Sequence, residues 1–206
     1  MLIIGLTGSI GMGKSAAAAI FRAQGIPVCD ADAEVHRLYR GAAVAPIEAA
    51  FPGTTTAEGV DRQKLAQRLL ADASGFKILE AIVHPLVRAA ERDFLLAAQA
   101  DNNWAVVLEI PLLFEGGGDK AVDATVVVSA PADMQKTRVL QRAGMTEEKL
   151  AQILSRQWPD AKKRAAATYV VDTSGTHEAT GAQIDVLLAD LKAGTRAAEA
   201  FERHWG

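Results

Sequence analysis

The feature that most limits what this chain can fold into is the octapeptide Gly8-Ser9-Ile10-Gly11-Met12-Gly13-Lys14-Ser15. It lies between the apolar run Leu2-Ile3-Ile4-Gly5-Leu6 and the alanine-rich Ala16-Ala17-Ala18-Ala19-Ile20. Its spacing is GxxxxGKS, that of a phosphate-binding P-loop. An apolar, β-prone run before it and a strong helix former after it predict strand, loop and helix in that order. Glycines let such a loop turn tightly with its N–H groups inward, where they and the N-terminus of the next helix surround a phosphate. Lys14 then reaches the β- and γ-phosphates, and Ser15 offers its hydroxyl to Mg²⁺. A glycine-rich turn that carried a lysine by coincidence would lack this strand and helix context.

The chain has 206 residues, half of them apolar, which suits one α/β domain with insertions. A net charge of −3 gives no bulk attraction to nucleic acid or an acidic membrane, and an aromatic content of 5% argues against a base-stacking platform. Cys29 is the one cysteine, so neither an internal disulfide nor a cysteine metal cluster can form. With no basic leader and no apolar stretch of membrane-spanning length, the expectation is a soluble, cytoplasmic protein.

Along the chain, Ile26-Pro27-Val28-Cys29 reads as a second strand, running into Asp30-Ala31-Asp32. In doubly wound sheets ligands sit beyond the carboxyl ends of the strands, which makes these carboxylates candidates for chemistry. Alternatively, both simply cap the helix at 33–39. Residues 44–100 read as helical throughout, with Asp61 capping a helix through Leu65 and Leu69, and Pro85 kinking or restarting a long amphipathic segment after His84. Trp104–Ile110 is the next strand. Either Glu109 or Glu115 at its carboxyl end is placed to assist a metal through water, and either serves equally as a solvated or helix-capping charge. After a strand at 124–128, Pro131 starts a helix in which Gln135, Arg138 and Arg142 share one face at i, i+3 and i+7. Arginines there suit phosphoryl transfer, because a guanidinium neutralises phosphate oxygens bidentately. The Lys162-Lys163-Arg164 cluster reads as a solvated face. Tyr169-Val170-Val171 is the last strand, a helix follows from His177 to Leu191, and the charged tail 194–206 is expected to fray. His36, His177 and His204 are scattered, without metal-ligand spacing.

In this order, the P-loop, Asp30-Ala31-Asp32, His84-Pro85, Pro111-Leu112-Leu113-Phe114-Glu115 and Gln135/Arg138/Arg142 closely resemble dephospho-coenzyme A kinases, from Ile4 to about Leu191. The resemblance implies an α/β P-loop NTPase three-layer sandwich with a five-stranded parallel sheet, a helical substrate-binding insertion and a lid. The implied nucleotide-binding core is 1–32, 104–137 and 166–193, the CoA-binding insertion 33–103 and the lid 138–165. It also implies ATP-dependent phosphorylation of the ribose 3′-hydroxyl of dephospho-CoA, with Mg²⁺ as cofactor. By position, Asp32 matches the proposed general base, joined in catalysis by Lys14 and Arg138. ATP binding falls to Gly8, Ser9, Ile10, Gly11, Met12, Gly13, Lys14, Ser15 and Ala16 with Arg142, the metal to Ser15, and the acceptor to Asp32, Arg62, His84 and Leu113. Two positions depart from the family pattern. Ala16 stands where Thr is frequent, and Ala167-Thr168-Tyr169-Val170-Val171-Asp172-Thr173 replaces the usual ADYVIDN beside the adenine.

A rival from another class is a nucleotide-dependent switch, since Asp172-Thr173-Ser174-Gly175 superficially gives DxxG. That motif follows the last strand rather than a middle one, and no NKxD base-reading motif occurs. A different small-molecule kinase on the same core is the nearer alternative, because fold does not fix the acceptor.

Overall fold

The computed structural model describes residues 1–72, 74–194 and 196–206. In chain order the elements are β1 (Leu2–Thr7), α1 (Lys14–Ala23), β2 (Val28–Asp30), α2 (Ala31–Leu38), α3 (Val44–Ala50), β3 (Thr55–Thr56), β4 (Gly59–Val60), α4 (Arg62–Ala71) and α5 (Gly75–Ala100). They continue with β5 (Ala105–Glu109), a 3₁₀ turn (Gly118–Ala121), β6 (Ala124–Ser129), α6 (Ala132–Leu140), α7 (Glu147–Leu154), α8 (Asp160–Ala166), β7 (Tyr169–Asp172), α9 (His177–Lys192) and α10 (Ala200–His204). The chain divides into two compact units, Met1–Cys29 with Ala98–Gly206, and Asp30–Ala97.

The first unit is built on a five-stranded sheet in the order β2-β5-β1-β6-β7, with β1 pairing in parallel to β5 and β6, and β6 to β7. β1 is buried along its whole length, so it reads as a continuous apolar run rather than an alternating one. Leu2, Ile4 and Leu6 pack in one cluster with Ala17 and Phe21 of α1 and Ile184, Leu187 and Leu191 of α9. The alternate residues face the other way, where Leu113 and Val122 lie so close to Gly5 that a Cβ there would come within 2.8 Å of Leu113. Because every parallel strand ends at the same side, the P-loop, Glu109, Ser129 and Asp172 all follow or terminate strands at one edge of the sheet.

The second unit has its own core of Leu38, Ala43, Ile47, Phe51, Leu65, Leu69 and Val83. Some expectations change here and in the tail. Residues 44–100 are not wholly helical: β3 and β4 form a small antiparallel hairpin. Pro85 does not restart the helix: α5 runs unbroken from Gly75 to Ala100 with the proline inside it. Pro removes one ladder bond, but Leu79, Ile82, Val83, Leu86 and Val87 anchor the helix to the same core on both sides of it. In the tail, the described residues 196–206 are tied to the first unit, and residue 195 lies outside the described residues. Asp123 Oδ1 accepts from Glu199 and Ala200 N–H at 2.8 and 2.7 Å, while Oδ2 accepts from Ile3 N–H at 2.8 Å. Trp205 is 5% exposed and donates from Nε1 to Ala121 O at 2.9 Å, so a capped short helix and one buried indole anchor the segment. Among the described residues, no helix is long and apolar enough to cross a membrane.

Candidate active site

The P-loop's shape leaves its carbonyls pointing away from any phosphate, and a carbonyl turned into protein needs a donor. Those donors come from distant parts of the first unit. Thr173, just past β7, donates from Oγ1 to Met12 O at 2.8 Å, and Gln135 of α6 donates from Nε2 to Ile10 O at 2.8 Å. Ile10 N–H donates to Gln157 Oε1 at 3.2 Å, and Ala130 N–H to Met12 Sδ at 3.1 Å. Gly13 caps α1 at φ 84°, a left-handed conformation, and a Cβ there would stand 3.0 Å from Thr173 Oγ1. Lys14 Nζ, at the first position of α1, donates to Glu109 Oε1 at 2.7 Å, with the carboxylate side chain 3% exposed. Ser15 and Ala16 follow in the first turn, exposed. The result is a cradle of N–H donors with one lysine held ready by a buried counter-ion, suited to an oxyanion.

Glu109 and Glu115, which the sequence leaves equivalent, are separated here. Glu115 turns to α8, accepting from Lys163 Nζ at 2.9 Å and from Trp158 N–H at 2.6 Å. Phe114 stacks on Trp158 at 5.7 Å, and Lys162 Nζ sits 3.4 Å above that ring. Lys163 is therefore wholly buried. The solvated-face reading fails for it because consecutive helical residues are about 100° apart, so a run of three cannot all face water on a packed helix.

Gln135, Arg138 and Arg142 do not share a helix face either, since α6 ends at Leu140 and Arg142 lies exposed in the following turn. Arg138 donates from Nη2 to Thr173 O at 2.7 Å and from Nη1 to Thr173 Oγ1 at 3.4 Å, which places it behind the residue that braces the loop.

In the second unit, the paired carboxylates split their roles. Asp30 caps α2, its Oδ1 accepting from Asp32 and Ala33 N–H at 2.9 and 3.1 Å, and Asp32 in the first turn is exposed. Arg62 Nη1 lies 2.7 Å from His36 Nε2. A cavity of about 410 Å³ has Asp32, His36 and Arg62 in its lining, and a neighbouring one of about 680 Å³ again has His36 and Arg62. Burial pushes the Glu91 carboxyl up to about 7, against the pull of Arg88 and with Glu34 adding to the rise.

A sequence model described as Dephospho-CoA kinase matches residues 2–178. The chain belongs to the dephospho-CoA kinase family. A Rhizobium meliloti protein named Dephospho-CoA kinase is 53% identical over 194 residues, spanning 94% of this chain and 100% of its own length. A crystal structure from Thermus thermophilus is 36% identical, covers 92% of this chain and 97% of the other, and has a TM-score of 0.77. Dephospho-CoA kinase from Campylobacter jejuni is 22% identical, with 93% and 98% covered and a TM-score of 0.70, and shares the fold.

Of the acceptor residues carried over from dephospho-CoA kinases, Asp32 and Arg62 line one cavity, but His84 is exposed on α5 and lines neither. Leu113 has a fully buried side chain, packed against Gly5 and Gly118. Gln157 and Thr173, which hold the P-loop, and His36, which holds Arg62, escape sequence reading, and Gln135, singled out there with Arg138 and Arg142, meets the Ile10 carbonyl instead of sharing their face. No local motif marks these contacts, since the two glutamines lie 125 and 147 residues from Ile10.

Proposed function

We propose that the chain transfers the γ-phosphoryl group of ATP to the ribose 3′-hydroxyl of dephospho-CoA, giving CoA and ADP. The observation that carries this is the family match over residues 2–178, with the P-loop braced for a phosphate in the same segment. Residues 1–32, 104–137 and 166–193 hold the nucleotide, 33–103 hold the acceptor, and 138–165 act as the lid.

The bond from the γ-phosphorus to the β–γ bridging oxygen breaks, its electron pair leaving with ADP, as a bond to O3′ forms. The 3′-hydroxyl proton passes to the Asp32 carboxylate, which Asp30 leaves available by taking the capping position. The P-loop N–H groups and Lys14 orient the triphosphate. Arg138 and Arg142 supply cations to the equatorial oxygens, and positioning with charge neutralisation gives most of the acceleration. A closed lid keeps water from competing as acceptor.

Mg²⁺ fits the donors present. Ser15 offers one hard oxygen, and among the described residues no cluster of three His, Cys, Asp or Glu side chains could form a dedicated cage. That suits an ion that keeps its waters and binds mainly through substrate phosphates. Ser15 would hold it as the protein ligand, and it would neutralise charge on the phosphates.

The test is product analysis with labelled ATP against dephospho-CoA, nucleoside monophosphates and shikimate. Dephospho-CoA should be the preferred acceptor, and Asp32→Asn should lose transfer by at least about a hundredfold while binding ATP as before. A preference for shikimate would name a different kinase. Near-normal turnover by Asp32→Asn would remove the base.

A further inference from the structure

Gln135 and Gln157 grip the two sides of one P-loop residue with opposite ends of the same functional group. Gln135, which is buried, donates from Nε2 to Ile10 O at 2.8 Å, and Gln157 accepts the Ile10 N–H on Oε1 at 3.2 Å. A backbone N–H can only donate, so the atom of Gln157 that faces it is the amide oxygen. That fixes the sense of the amide, and its NH₂ group, with two donors, turns away from the Ile10 N–H. Gln157 is partly buried, and among the described residues its Nε2 has no hydrogen-bond partner. A brace for Ile10 uses only the oxygen of this amide.

Gln157 is also held in place independently of the loop. It lies between α7 and α8, with its own N–H donating to Leu154 O at 3.1 Å. The next residue, Trp158, donates its N–H to Glu115 Oε1 at 2.6 Å and stacks on Phe114. A side chain fixed in this way loses little further freedom on meeting a ligand, so a hydrogen bond from it is preorganised. The loop's own chemistry says which ligand atom is near. Its N–H groups and the start of α1 cradle the α- and β-phosphates, while Lys14 reaches the β- and γ-phosphates. The terminal phosphoryl group therefore lies out beyond the cradle, away from α1. Ile10 stands on the opening half of the loop, ahead of Gly13 and Lys14, and Gln157 is the side chain on its N–H.

We infer that Gln157 is a γ-phosphate ligand: with Oε1 on the Ile10 N–H, its Nε2 donates to an oxygen of the terminal phosphoryl group of ATP. The site then favours ATP over ADP through a neutral donor, in addition to its cations. This rests on the ATP-binding half of the reaction proposed above and on nothing in its acceptor.

Isothermal titration of the full chain, in Mg²⁺, with ADP and with the slowly hydrolysed β,γ-imido analogue of ATP reads the contact directly. Gln157→Glu keeps an oxygen for the Ile10 N–H and puts a second oxygen where the donor was, so it separates bracing from phosphate contact. Its Kd for the imido analogue should rise at least about tenfold, the low end for a hydrogen bond to a charged group, while its Kd for ADP stays within about threefold. Gln157→Ala, which loses both functions, should also weaken the analogue more than ADP. Thermal melting confirms that both variants are folded. Wild-type binding of the analogue by Gln157→Glu, or equal changes for the two nucleotides in either variant, would overturn the contact and leave Gln157 a brace alone. A wild type that binds the analogue but does not phosphorylate dephospho-CoA would overturn the reaction proposed above and leave the contact standing. A wild type that binds neither nucleotide would overturn both.

Discussion

Replacing Lys163 by Met tests whether the buried ion pair is structural. Lys163 is 0% exposed, and its ammonium has one carboxylate partner, Glu115 at 2.9 Å, with Pro111 O at the edge of hydrogen-bonding range at 3.5 Å. Glu115 is 13% exposed, and among the described residues its second oxygen, Oε2, has no hydrogen-bond partner. Lys163→Met therefore leaves a largely buried carboxylate with only the Trp158 N–H, which costs about 3–5 kcal/mol. For a chain of this size that is a fall in Tm of roughly 6–20 °C. Lys163→Met with Glu115→Leu removes both charges and should return stability to within about 1 kcal/mol of wild type, because the desolvation of both ions disappears with their attraction. Denaturant titration and thermal melting at neutral pH measure both variants. A single variant losing less than about 1 kcal/mol, or a double no better than the single, would refute the argument. The same pair sets an acid limit. Burial pushes the Glu115 carboxyl up, but the Lys163 ammonium and the Trp158 N–H together hold it below its ordinary 4.5. A depressed folded value means that the stabilisation is present above about 4.5 and is lost as pH falls through the folded value, so the double variant should show a shallower decline there.

Glu91 has the opposite sign. With its carboxyl raised from 4.5 to about 7, the folded state binds the extra proton, so stability falls as pH rises across that window. Glu91→Gln should therefore raise stability by roughly 1–3 kcal/mol at pH about 8 and change it little near pH about 5, read by melting at both values. Gly59→Ala should cost about 2–3 kcal/mol, since its φ and the 2.3 Å approach to Tyr39 O leave no room for a Cβ. Thermal melting and denaturant titration measure the loss.

What was legible from the sequence is what depends on local pattern. Strand, loop and helix around Gly8–Ser15 follow from an apolar run, glycines at fixed spacing and an alanine-rich start, and the structure has them. Asp61 before Arg62 signalled a helix start by its residue type, and it caps α4. Less legible was which of two adjacent candidates acts. Asp30 and Asp32 satisfy the same capping rule, and only the structure shows that Asp30 accepts the two N–H bonds. The three basic residues at 162–164 look alike as a string, but a helix turns each by a different angle and one of them meets Glu115 across 48 residues of chain. Trp205 and Asp123 anchor the tail by the same kind of distant contact, which charge and composition do not reveal.

The P-loop itself shows where the boundary falls. Its motif states that backbone N–H groups must converge on a phosphate, and a chain that turns its N–H groups inward must turn carbonyls outward. The sequence thus implies that Ile10 and Met12 carbonyls need donors, without saying which side chains supply them. The structure draws them from α6 and from the residue after β7, and Ile10 is gripped on both sides, by Gln135 at its carbonyl and Gln157 at its N–H. Gln157 adjoins Trp158, whose N–H bonds to Glu115, so the segment that touches the loop's tip is the one held by the buried ion pair. The pair therefore bears on more than stability. Losing it loosens the segment that holds Ile10, and its effect on ATP affinity should exceed what an equally destabilising change elsewhere in the first unit produces.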